Sequence, residues 1–344
     1  MRRLGAPAQI AIAADAMERA RAAYSDADDA FAAYADEAEL AALAADADVV
    51  VATHYTTVTM VKRLHERYGG FRPAYYAQDY EPFFAEPSSA QLADALDSYT
   101  AIPGQLVFAK THWLRNLIGE LHGVEVAKVE PSLDTELFNT DGRKGDDGTL
   151  LAGRPDGPVR VERPDGPVRI VAMIRPRTPR RQPVLTLDAL DRLVESEGDR
   201  VQVTTFGCPE TAIEALGRKP PGEHLGLLTR HQVADLLKRT DIFLDASTYQ
   251  AFGRTALEAM ACGATAIAPR IGGTAQFIRD GANGLLVDTL RPEPVTAALS
   301  RLCEDHELRH RLQAAAAGQA SSHSILRAAL SEYALFADTD LRVA

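Results

Sequence analysis

Residues 242–263 read IFLDASTYQAFGRTALEAMACG, and this stretch determines the predicted fold. Its first three residues are apolar and predict a short buried strand. A loop containing Ser, Thr and Gly follows, and an Ala-rich helix is predicted to begin near Thr255. This order directs the backbone N–H groups from Gly253 to Ala256 toward the carboxyl edge of a sheet, where a helix N-terminus attracts phosphate. Because Gly253 has no Cβ, its backbone can lie close to such a ligand.

Glu258 lies one turn inside this predicted helix. Its two carboxylate oxygens can accept hydrogen bonds from a pair of sugar hydroxyls, so the junction favours a ligand that carries both a phosphate and a sugar. The alternative is a plain helix N-terminus with a solvent-exposed Glu258, because every α/β domain contains such junctions.

A second set of cations follows another predicted strand. Arg175 comes directly after the apolar run of residues 168–174, and Arg180 and Arg181 follow five and six residues later. Cationic side chains at the carboxyl end of a strand, with a helix N-terminus nearby, can together hold a diphosphate. The alternative is that these arginines are surface charges in a Pro-rich loop.

Short apolar runs alternate with segments of helical periodicity over most of the chain. The runs are rich in β-branched residues, as in parallel strands that are buried on both faces. This alternation predicts an α/β fold with doubly wound parallel sheets. The predicted strands are residues 49–53, 74–77, 106–109, 168–174, 201–206, 241–244, 264–268 and 284–287, and the predicted helices include residues 185–194, 232–238, 255–261 and 324–336.

The length of 344 residues predicts two domains. Between them, residues 139–167 are rich in Gly, Asp, Pro and Arg and contain a direct repeat of RPDGPVR, which predicts a flexible linker or a surface excursion. Two copies of a repeat are too few for a solenoid. The predicted parts are a first domain of residues 1–138, the linker, a second domain of residues 168–322, and a C-terminal helix and tail of residues 323–344, for which a return to the first domain is one interpretation.

Composition and charge exclude several classes of protein. With 46% hydrophobic and 25% charged residues, the chain can bury a core. Its net charge is −11, and the acidic excess lies entirely in residues 1–150, so we predict no nucleic-acid partner. Three widely separated Cys residues without C-x-x-C spacing exclude a disulfide scaffold. No apolar run is long enough to span a bilayer, which predicts a cytoplasmic protein; peripheral membrane contact and the oligomeric state stay open.

Residues 251–288, AFGRTALEAMACGATAIAPRIGGTAQFIRDGANGLLVD, resemble the donor-binding region of family 4 glycosyltransferases. The signature of that family is Glu-x₇-Glu, typically written E-G-F-G-x-x-x-x-E-A-M-A-C-G. This chain matches it at Phe252, Gly253 and residues 258–263. In the family, a Gly-Arg pair and a downstream Lys follow the first strand of the second domain. Arg175 falls on that arginine and Arg180 on that lysine.

The resemblance covers roughly residues 46–335, and residues 75–82, YYAQDYEP, further resemble rhamnosyltransferase-type bacterial members that use dTDP-sugars. The family implies the GT-B fold, two Rossmann-like domains with doubly wound parallel sheets that face a cleft. It also implies retaining transfer of a sugar from a dTDP-, UDP- or GDP-sugar to a carbohydrate or glycolipid acceptor. No cofactor and no metal are implied, because arginines and a helix end neutralise the departing diphosphate.

The resemblance assigns a role to each matched residue. Arg175 and Arg180 stabilise the leaving diphosphate, Glu258 holds the ribose, and Gln250 orients the sugar together with Phe252 and Gly253. The implied catalytic residues are Arg175, Arg180, Gln250 and Glu258, and the implied donor-binding residues are Arg181, Phe252, Gly253, Arg254, Thr255, Ala256, Gly272, Gly273, Leu227 and Leu228. The implied acceptor-side residues are His54, Gln78, Asp79 and Glu81.

Three features depart from the family pattern. Gln250 stands where the first signature Glu is expected, and we expect its amide both to donate to and to accept from sugar hydroxyls. Gln78 and Asp79 occupy the loop where many members place a catalytic-site His. The chain is also expected to begin after the family's first strand and Gly-rich loop, with residues 10–13 as the family's second strand.

These departures leave two other functions open. A non-catalytic nucleotide-sugar-binding or scaffold subunit would tolerate both the amide at position 250 and an incomplete glycine loop. An epimerase of similar fold would need additional His and carboxylate groups as acid and base, and the sequence places none in the expected site.

Overall fold

The computed structural model describes residues 2–24, 29–86, 88–142 and 166–337. The chain forms two compact units. The first unit consists of Met1–Pro131 with Leu326–Ala344, and the second unit consists of Ser132–Ile325. Most of the predicted linker, residues 143–165, lies outside the described residues.

The first unit contains a four-stranded parallel sheet and a separate two-stranded parallel sheet. The larger sheet has the order β3-β4-β5-β6, and β1 pairs with β2. The strands are β1 (Ile10–Ala13), β2 (Phe31–Tyr34), β3 (Val49–Ala52), β4 (Arg72–Ala77), β5 (Leu106–Ala109) and β6 (Val126–Lys128). The helices are α1 (Met17–Ala23), α2 (Glu37–Ala44), α3 (Tyr55–Tyr68), α4 (Ala90–Asp97) and α5 (His112–His122).

The second unit is built on a six-stranded, fully parallel sheet with the order β12-β11-β10-β7-β8-β9. Its strands are β7 (Val168–Met173), β8 (Val201–Phe206), β9 (Glu223–His224), β10 (Ile242–Leu244), β11 (Thr265–Pro269) and β12 (Leu285–Val287). Its helices are α6 (Pro183–Glu197), α7 (Glu210–Glu214), α8 (Arg230–Leu237), α9 (Arg254–Ala261), α10 (Pro292–Glu304) and α11 (His306–Ala320).

Both faces of the second sheet are covered by helices. Ile170 and Ala172 of β7 pack in a core cluster with α6 and α10, whereas Val171 between them packs in a second cluster with α8 and α9. Because successive side chains of a strand point to opposite faces, these two clusters lie on opposite sides of the sheet. The fold is therefore doubly wound α/β, as the sequence predicts, and the near-continuous apolar strands reflect burial on both faces.

The C-terminal helix α12 (Ile325–Ala337) packs in the first unit. Its Phe336 meets Phe108 of β5 edge-on, with 5.5 Å between ring centroids. The Ser331 hydroxyl accepts a hydrogen bond of 2.8 Å from the Glu130 backbone N–H. Within the described part of the chain, no helix combines the length and the apolar character that crossing a membrane requires.

The boundary between the units lies slightly before the predicted one. Leu133 and Phe138, assigned above to the first domain, pack in the core of the second unit with Val171 of β7. Their burial against this core, and the hydrogen bond of 2.9 Å from Arg230 to Asp134, give residues 132–138 their partners in the second unit.

Candidate functional site

The strand order of the second unit defines a topological switch point. From the central strand β7 the chain proceeds to β8 and β9 on one side of it and then returns to β10 on the other side. The connections that follow β7 and β10 therefore leave the sheet in opposite directions from adjacent strands. Open α/β sheets bind ligands in the crevice outside the carboxyl ends of the strands at such a point.

The loops after β7 and β10 are in direct contact at this switch point. The Thr248 backbone N–H donates a hydrogen bond of 2.7 Å to the carbonyl of Arg180. The Arg180 guanidinium lies over the Tyr249 ring, 5.2 Å from its centroid. Arg181 Nη1 lies 3.7 Å from Asp245 Oδ2. The structure thus brings two of the three predicted arginines to the loop that precedes α9.

Gly253 precedes the first residue of α9 and has a left-handed backbone conformation. Its φ is +91°, which side-chain-bearing residues rarely adopt. A Cβ at this position would lie 2.9 Å from Cγ2 of Thr274. The helix begins at Arg254, and glycine has no side chain with which to cap it. The N-terminus of α9 is therefore suited to an external anion.

The residues around Gly253 differ in exposure. Phe252 is half-buried and packs edge-on against Phe277, with 5.2 Å between ring centroids. Arg254 is exposed, Thr255 is half-buried and Ala256 is fully buried in the core. The side chain of Ala256 therefore serves packing, and only its backbone N–H could face a ligand.

The glycine pair after β11 holds the backbone of Gln250. The Gly273 N–H donates a hydrogen bond of 2.7 Å to the Gln250 carbonyl, and Gln250 N–H donates to the Ile271 carbonyl at 3.4 Å. Gly272 has a φ of +112°, and a Cβ there would overlap the Gln250 backbone. Only glycine fits this position, and the loops after β10 and β11 are joined as a result.

The Gln250 side chain is held inside the unit. It is only 3% exposed, and its Nε2 donates hydrogen bonds to Asp245 Oδ2 at 2.5 Å and to Ser247 Oγ at 3.2 Å. The expectation that this amide would donate to sugar hydroxyls is therefore not met by the geometry, because its donor atom already has two acceptors. Asp245 is not among the residues singled out from the sequence. It follows β10 directly, and this position at the carboxyl end of a strand is the feature of the sequence that indicates a site residue.

Glu258 lies in α9, on the same side of the sheet as α8, and has charged groups nearby. Burial raises the pKa of this carboxyl from 4.5 to about 7, whereas the positive charges of Arg254 and Arg230 lower it and the charge of Asp134 raises it. A carboxylate that is largely desolvated, with no hydrogen bond to its oxygens among the described residues, can accept hydrogen bonds from ligand hydroxyls.

Arg175 is exposed, and its Nη2 lies 3.7 Å from the Sδ of Met173. The structure places it at the carboxyl end of β7, as the sequence predicts. No hydrogen bond joins it to the loop of residues 245–253 within the described part of the chain. It is thus available to a ligand but is not held in position by its neighbours.

The segment of residues 224–229, predicted to lie beside the nucleotide base, is fixed by His224. One ring nitrogen of His224 lies 2.8 Å from Thr205 Oγ1, and the other lies 2.8 Å from the Cys208 carbonyl. Leu227 is 71% exposed, whereas Leu228 packs against the core. Of the two predicted leucines, Leu227 is therefore the one whose side chain is accessible.

The predicted acceptor-side residues lie at the carboxyl ends of β3 and β4 in the first unit. Gln78 Nε2 donates to the Thr53 carbonyl at 3.0 Å, which joins the two strand ends. His54 is the N-cap of α3, where its side chain accepts a hydrogen bond from Thr56 N–H. Asp79 is 9% exposed and accepts a hydrogen bond of 2.9 Å from Tyr80 N–H.

Glu81 has mainly internal partners. It is 4% exposed, and its Oε2 accepts hydrogen bonds from Tyr55 N–H at 2.6 Å and from the Tyr75 hydroxyl at 2.9 Å. Burial raises the pKa of this carboxyl, and the two hydrogen bonds lower it. In the structure Glu81 thus joins the loop after β4 to the first turn of α3. Its predicted contact with an acceptor is not visible in this geometry.

One family model matches a large part of the second unit. Residues 160–319 match the family model Glycosyl transferases group 1. That range contains all of β7 to β12 and every predicted donor-side residue. The match agrees with the resemblance noted from the signature, while the narrower likenesses to family 4 and to rhamnosyltransferase-type members stay predictions.

Curated relatives with similar sequences support the same group 1 glycosyltransferase family. A D-inositol 3-phosphate glycosyltransferase of Thermomonospora curvata is 27% identical over 252 residues, which cover 67% of this chain and 56% of that protein. The O-antigen biosynthesis protein RfbC of Myxococcus xanthus is 31% identical over 80% of this chain and 20% of its own length. The chain spans 56%, 32% and 48% of three D-inositol 3-phosphate glycosyltransferases that it matches.

Solved structures show the fold. HepE of Anabaena, crystallised in complex with UDP and glucose, has a TM-score of 0.72 at 15% identity, covering 92% of this chain and 89% of that chain. Sucrose-phosphate synthase from Thermosynechococcus elongatus has a TM-score of 0.68 at 16% identity, covering 87% and 76%. The GT-B class predicted from the sequence, with two Rossmann-like units, is confirmed by these likenesses.

Proposed function

We propose that this chain is a glycosyltransferase that moves a sugar from a nucleoside-diphosphate sugar to a carbohydrate or glycolipid acceptor. The names of the relatives and the UDP in the HepE crystals support this proposal, together with the group 1 family match. The donor would be dTDP-, UDP- or GDP-linked, and no further cofactor would be required.

The observation that carries the proposal is the hydrogen bond between Thr248 N–H and the Arg180 carbonyl. It holds the arginine-bearing loop after β7 against the loop that leads to the N-terminus of α9, at the switch point of the sheet. Two cationic side chains and one helix N-terminus thereby lie on adjacent loops. Such a preorganised arrangement stabilises the charge that develops on a departing diphosphate.

The remaining roles follow from this placement of the diphosphate. Arg175 and Arg180, with Arg181, would neutralise the leaving group, so that a metal ion is not required. Glu258 would accept hydrogen bonds from the ribose hydroxyls, and Gln250 would face the transferred sugar. The acceptor would contact the first unit near His54 and Gln78. We infer retention of the anomeric configuration from the family resemblance.

A titration series with UDP, GDP, dTDP and ADP tests the binding part of this proposal. A ligand at 100 times its dissociation constant stabilises a single-site protein by about 2.7 kcal/mol. We expect one of the four nucleotides to raise the thermal midpoint, and release of that nucleotide from its sugar conjugate to depend on an added acceptor. If none of the four binds, the proposed function is wrong.

A second candidate is a nucleotide-sugar-binding subunit without transferase activity. The amide at position 250, already hydrogen-bonded to Asp245, favours it, because the family places a carboxylate at this position. The two candidates differ in turnover. Nucleotide binding without product, across a panel of sugar nucleotides and glycan acceptors, would support the second candidate.

A further inference from the structure

The carboxylate of Asp245 contacts several residues in and beside the loop after β10. Its Oδ1 accepts hydrogen bonds from the backbone N–H of Ser247 at 3.1 Å and from the Ser247 hydroxyl at 2.5 Å. Its Oδ2 accepts from Gln250 Nε2 at 2.5 Å and lies 3.7 Å from Arg181 Nη1. The side chain is only 10% exposed. The carboxylate is thus held by three neighbours at the switch point of the sheet.

This carboxylate determines which atom of Gln250 is free. A carboxylate can only accept hydrogen bonds, so the amide atom that faces it must be the nitrogen. The two N–H groups of that nitrogen have two acceptors, Asp245 and Ser247. The Gln250 backbone is held separately by Gly273. Only Oε1 remains without a hydrogen bond from the described residues, and it can only accept.

We propose that Asp245 is a positioning residue that sets the sugar specificity of the site. It fixes the Gln250 amide so that Oε1 is presented to the transferred sugar as an uncharged acceptor for one sugar hydroxyl. This inference rests on the proposed function, because it concerns the sugar of the same donor. A site built around one hydroxyl rejects analogues that lack it far more strongly than a site built from apolar contacts.

The pairing also explains why a carboxylate at position 250 would be excluded here. Glutamate would place a second negative charge at hydrogen-bond distance from Asp245, where burial makes the repulsion strong. The arrangement tolerates glutamate only if position 245 supplies the donor. Asp245 and Gln250 therefore form a matched pair that needs one carboxylate and one amide. Because the amide is at position 250, the group beside the sugar is uncharged.

Exchange of the two groups tests this proposal. The variants are Asp245→Asn, Gln250→Glu and the double variant Asp245→Asn/Gln250→Glu, with Asp280→Asn as a control that removes a carboxylate from an exposed ion pair with Arg270. Each is measured for thermal midpoint and, by calorimetry, for affinity toward UDP and UDP-glucose, GDP and GDP-mannose, or dTDP and dTDP-glucose. The wild type selects which of these pairs is used.

We expect Gln250→Glu to lower the thermal midpoint by about 4 °C or more. Its affinity for the sugar nucleotide should fall at least about tenfold more than its affinity for the free nucleotide, because the altered atom faces the sugar. The double variant should recover the midpoint to within about 2 °C, because asparagine donates to the new carboxylate. Asp245→Asn alone should retain affinity for the free nucleotide and bind the sugar nucleotide more weakly, because the Gln250 amide is no longer fixed, and the control should match the wild type.

Additive losses in the double variant would overturn the pairing, as would wild-type behaviour of Gln250→Glu in both measurements. If the midpoint recovers and none of the variants changes the affinity for the sugar nucleotide relative to the free nucleotide, the pair is purely structural and the specificity role is wrong. If the wild type binds none of the nucleotides, the proposed function fails, and the thermal midpoints still decide whether the two residues are paired.

Discussion

Glu258 illustrates how burial changes the chemistry of a single side chain. Its pKa is raised to about 7 because the carboxyl is desolvated, and the nearby Arg254 and Arg230 offset only part of that effect. The sequence predicts the place of Glu258 in the helix from the signature alone. It does not predict the charged neighbours, since Asp134 and Arg230 lie more than 20 residues away along the chain and reach Glu258 only through the fold.

The raised pKa of Glu258 predicts a pH dependence of stability. Between pH 4.5 and about 7 the folded protein holds a proton that the unfolded chain has released, so the free energy of unfolding falls as the pH rises. Glu258→Gln stays neutral, and we expect it to exceed the wild type by up to about 3 kcal/mol above pH 7 and to match it near pH 4. Urea unfolding from pH 4 to pH 8 measures this difference. Parallel curves for wild type and variant would refute the prediction, and Glu195→Gln, an exposed change on α6, is the control.

Arg175 gives a prediction about ligand selectivity. Because it is exposed at the end of β7, we expect it to contact the second phosphate of the donor rather than to support the fold. Arg175→Ala should weaken nucleoside-diphosphate binding by about 1.5–3 kcal/mol, the contribution of a charged hydrogen bond, and leave nucleoside-monophosphate binding nearly unchanged. Calorimetry with both ligands measures the ratio, and Arg177→Ala in the same loop is the matched control. Equal losses for both ligands would contradict the assigned role.

Gln250 shows where prediction from sequence ends. The departure from the signature is visible in the printed residues, but its consequence depends on the contact with Asp245, five positions earlier in an irregular loop. Hydrogen bonds inside such a loop follow from its exact path. The path is set by the hydrogen bonds that Thr248 and Gly273 make to other loops and by the close approach of Gly272 to the Gln250 backbone.

Among the elements, α9 and the loop before it were predicted most closely. The expected helix of residues 255–261 begins at Arg254 and ends at Ala261, and the apolar run before it forms β10. The sequence does not predict β2, β6 or β9. Phe31–Tyr34 contains two alanines, and Val126–Lys128 and Glu223–His224 are only three and two residues long, so none of the three has a distinct strand pattern.

Gly253 tests whether the N-terminus of α9 depends on its backbone conformation. Gly253→Ala would adopt φ near +91° and place a Cβ 2.9 Å from Thr274, so we expect a loss of about 1–3 kcal/mol in the free energy of unfolding. Gly318→Ala is the matched control. Gly318 lies inside α11 with open space around it, so alanine should stabilise the protein by about 0.5–1 kcal/mol. Urea unfolding of both variants measures the contrast, and equal effects would contradict the assignment.

For the whole molecule, the sequence predicts two α/β units and the parallel sheet of the second one. It does not predict that β1 and β2 form a separate sheet, because strand pairing is set by tertiary contacts that periodicity does not encode. The sequence also does not predict the boundary near residue 132, because the apolar side chains of Leu133 and Phe138 would fit the core of either unit.

The proposed site predicts that the nucleotide binds to the second unit. All predicted donor-side residues lie within Ser132–Ile325, on the loops that follow β7, β9, β10 and β11 or in helix α9. The predicted acceptor-side residues lie in the first unit. A nucleotide without its sugar should therefore slow amide hydrogen exchange in the second unit and leave exchange in the helices and strands of the first unit unaltered.

Amide hydrogen exchange with and without saturating nucleoside diphosphate tests this placement most directly. UDP, GDP or dTDP is used, whichever binds most tightly in the titration series. We expect protection to be concentrated in residues 175–182 and 245–256, because the proposed site for the diphosphate lies between the arginine loop and the N-terminus of α9. Exchange in α3 and β4 of the first unit should stay unchanged. Tight binding with protection elsewhere and none in these two segments would contradict the proposed site.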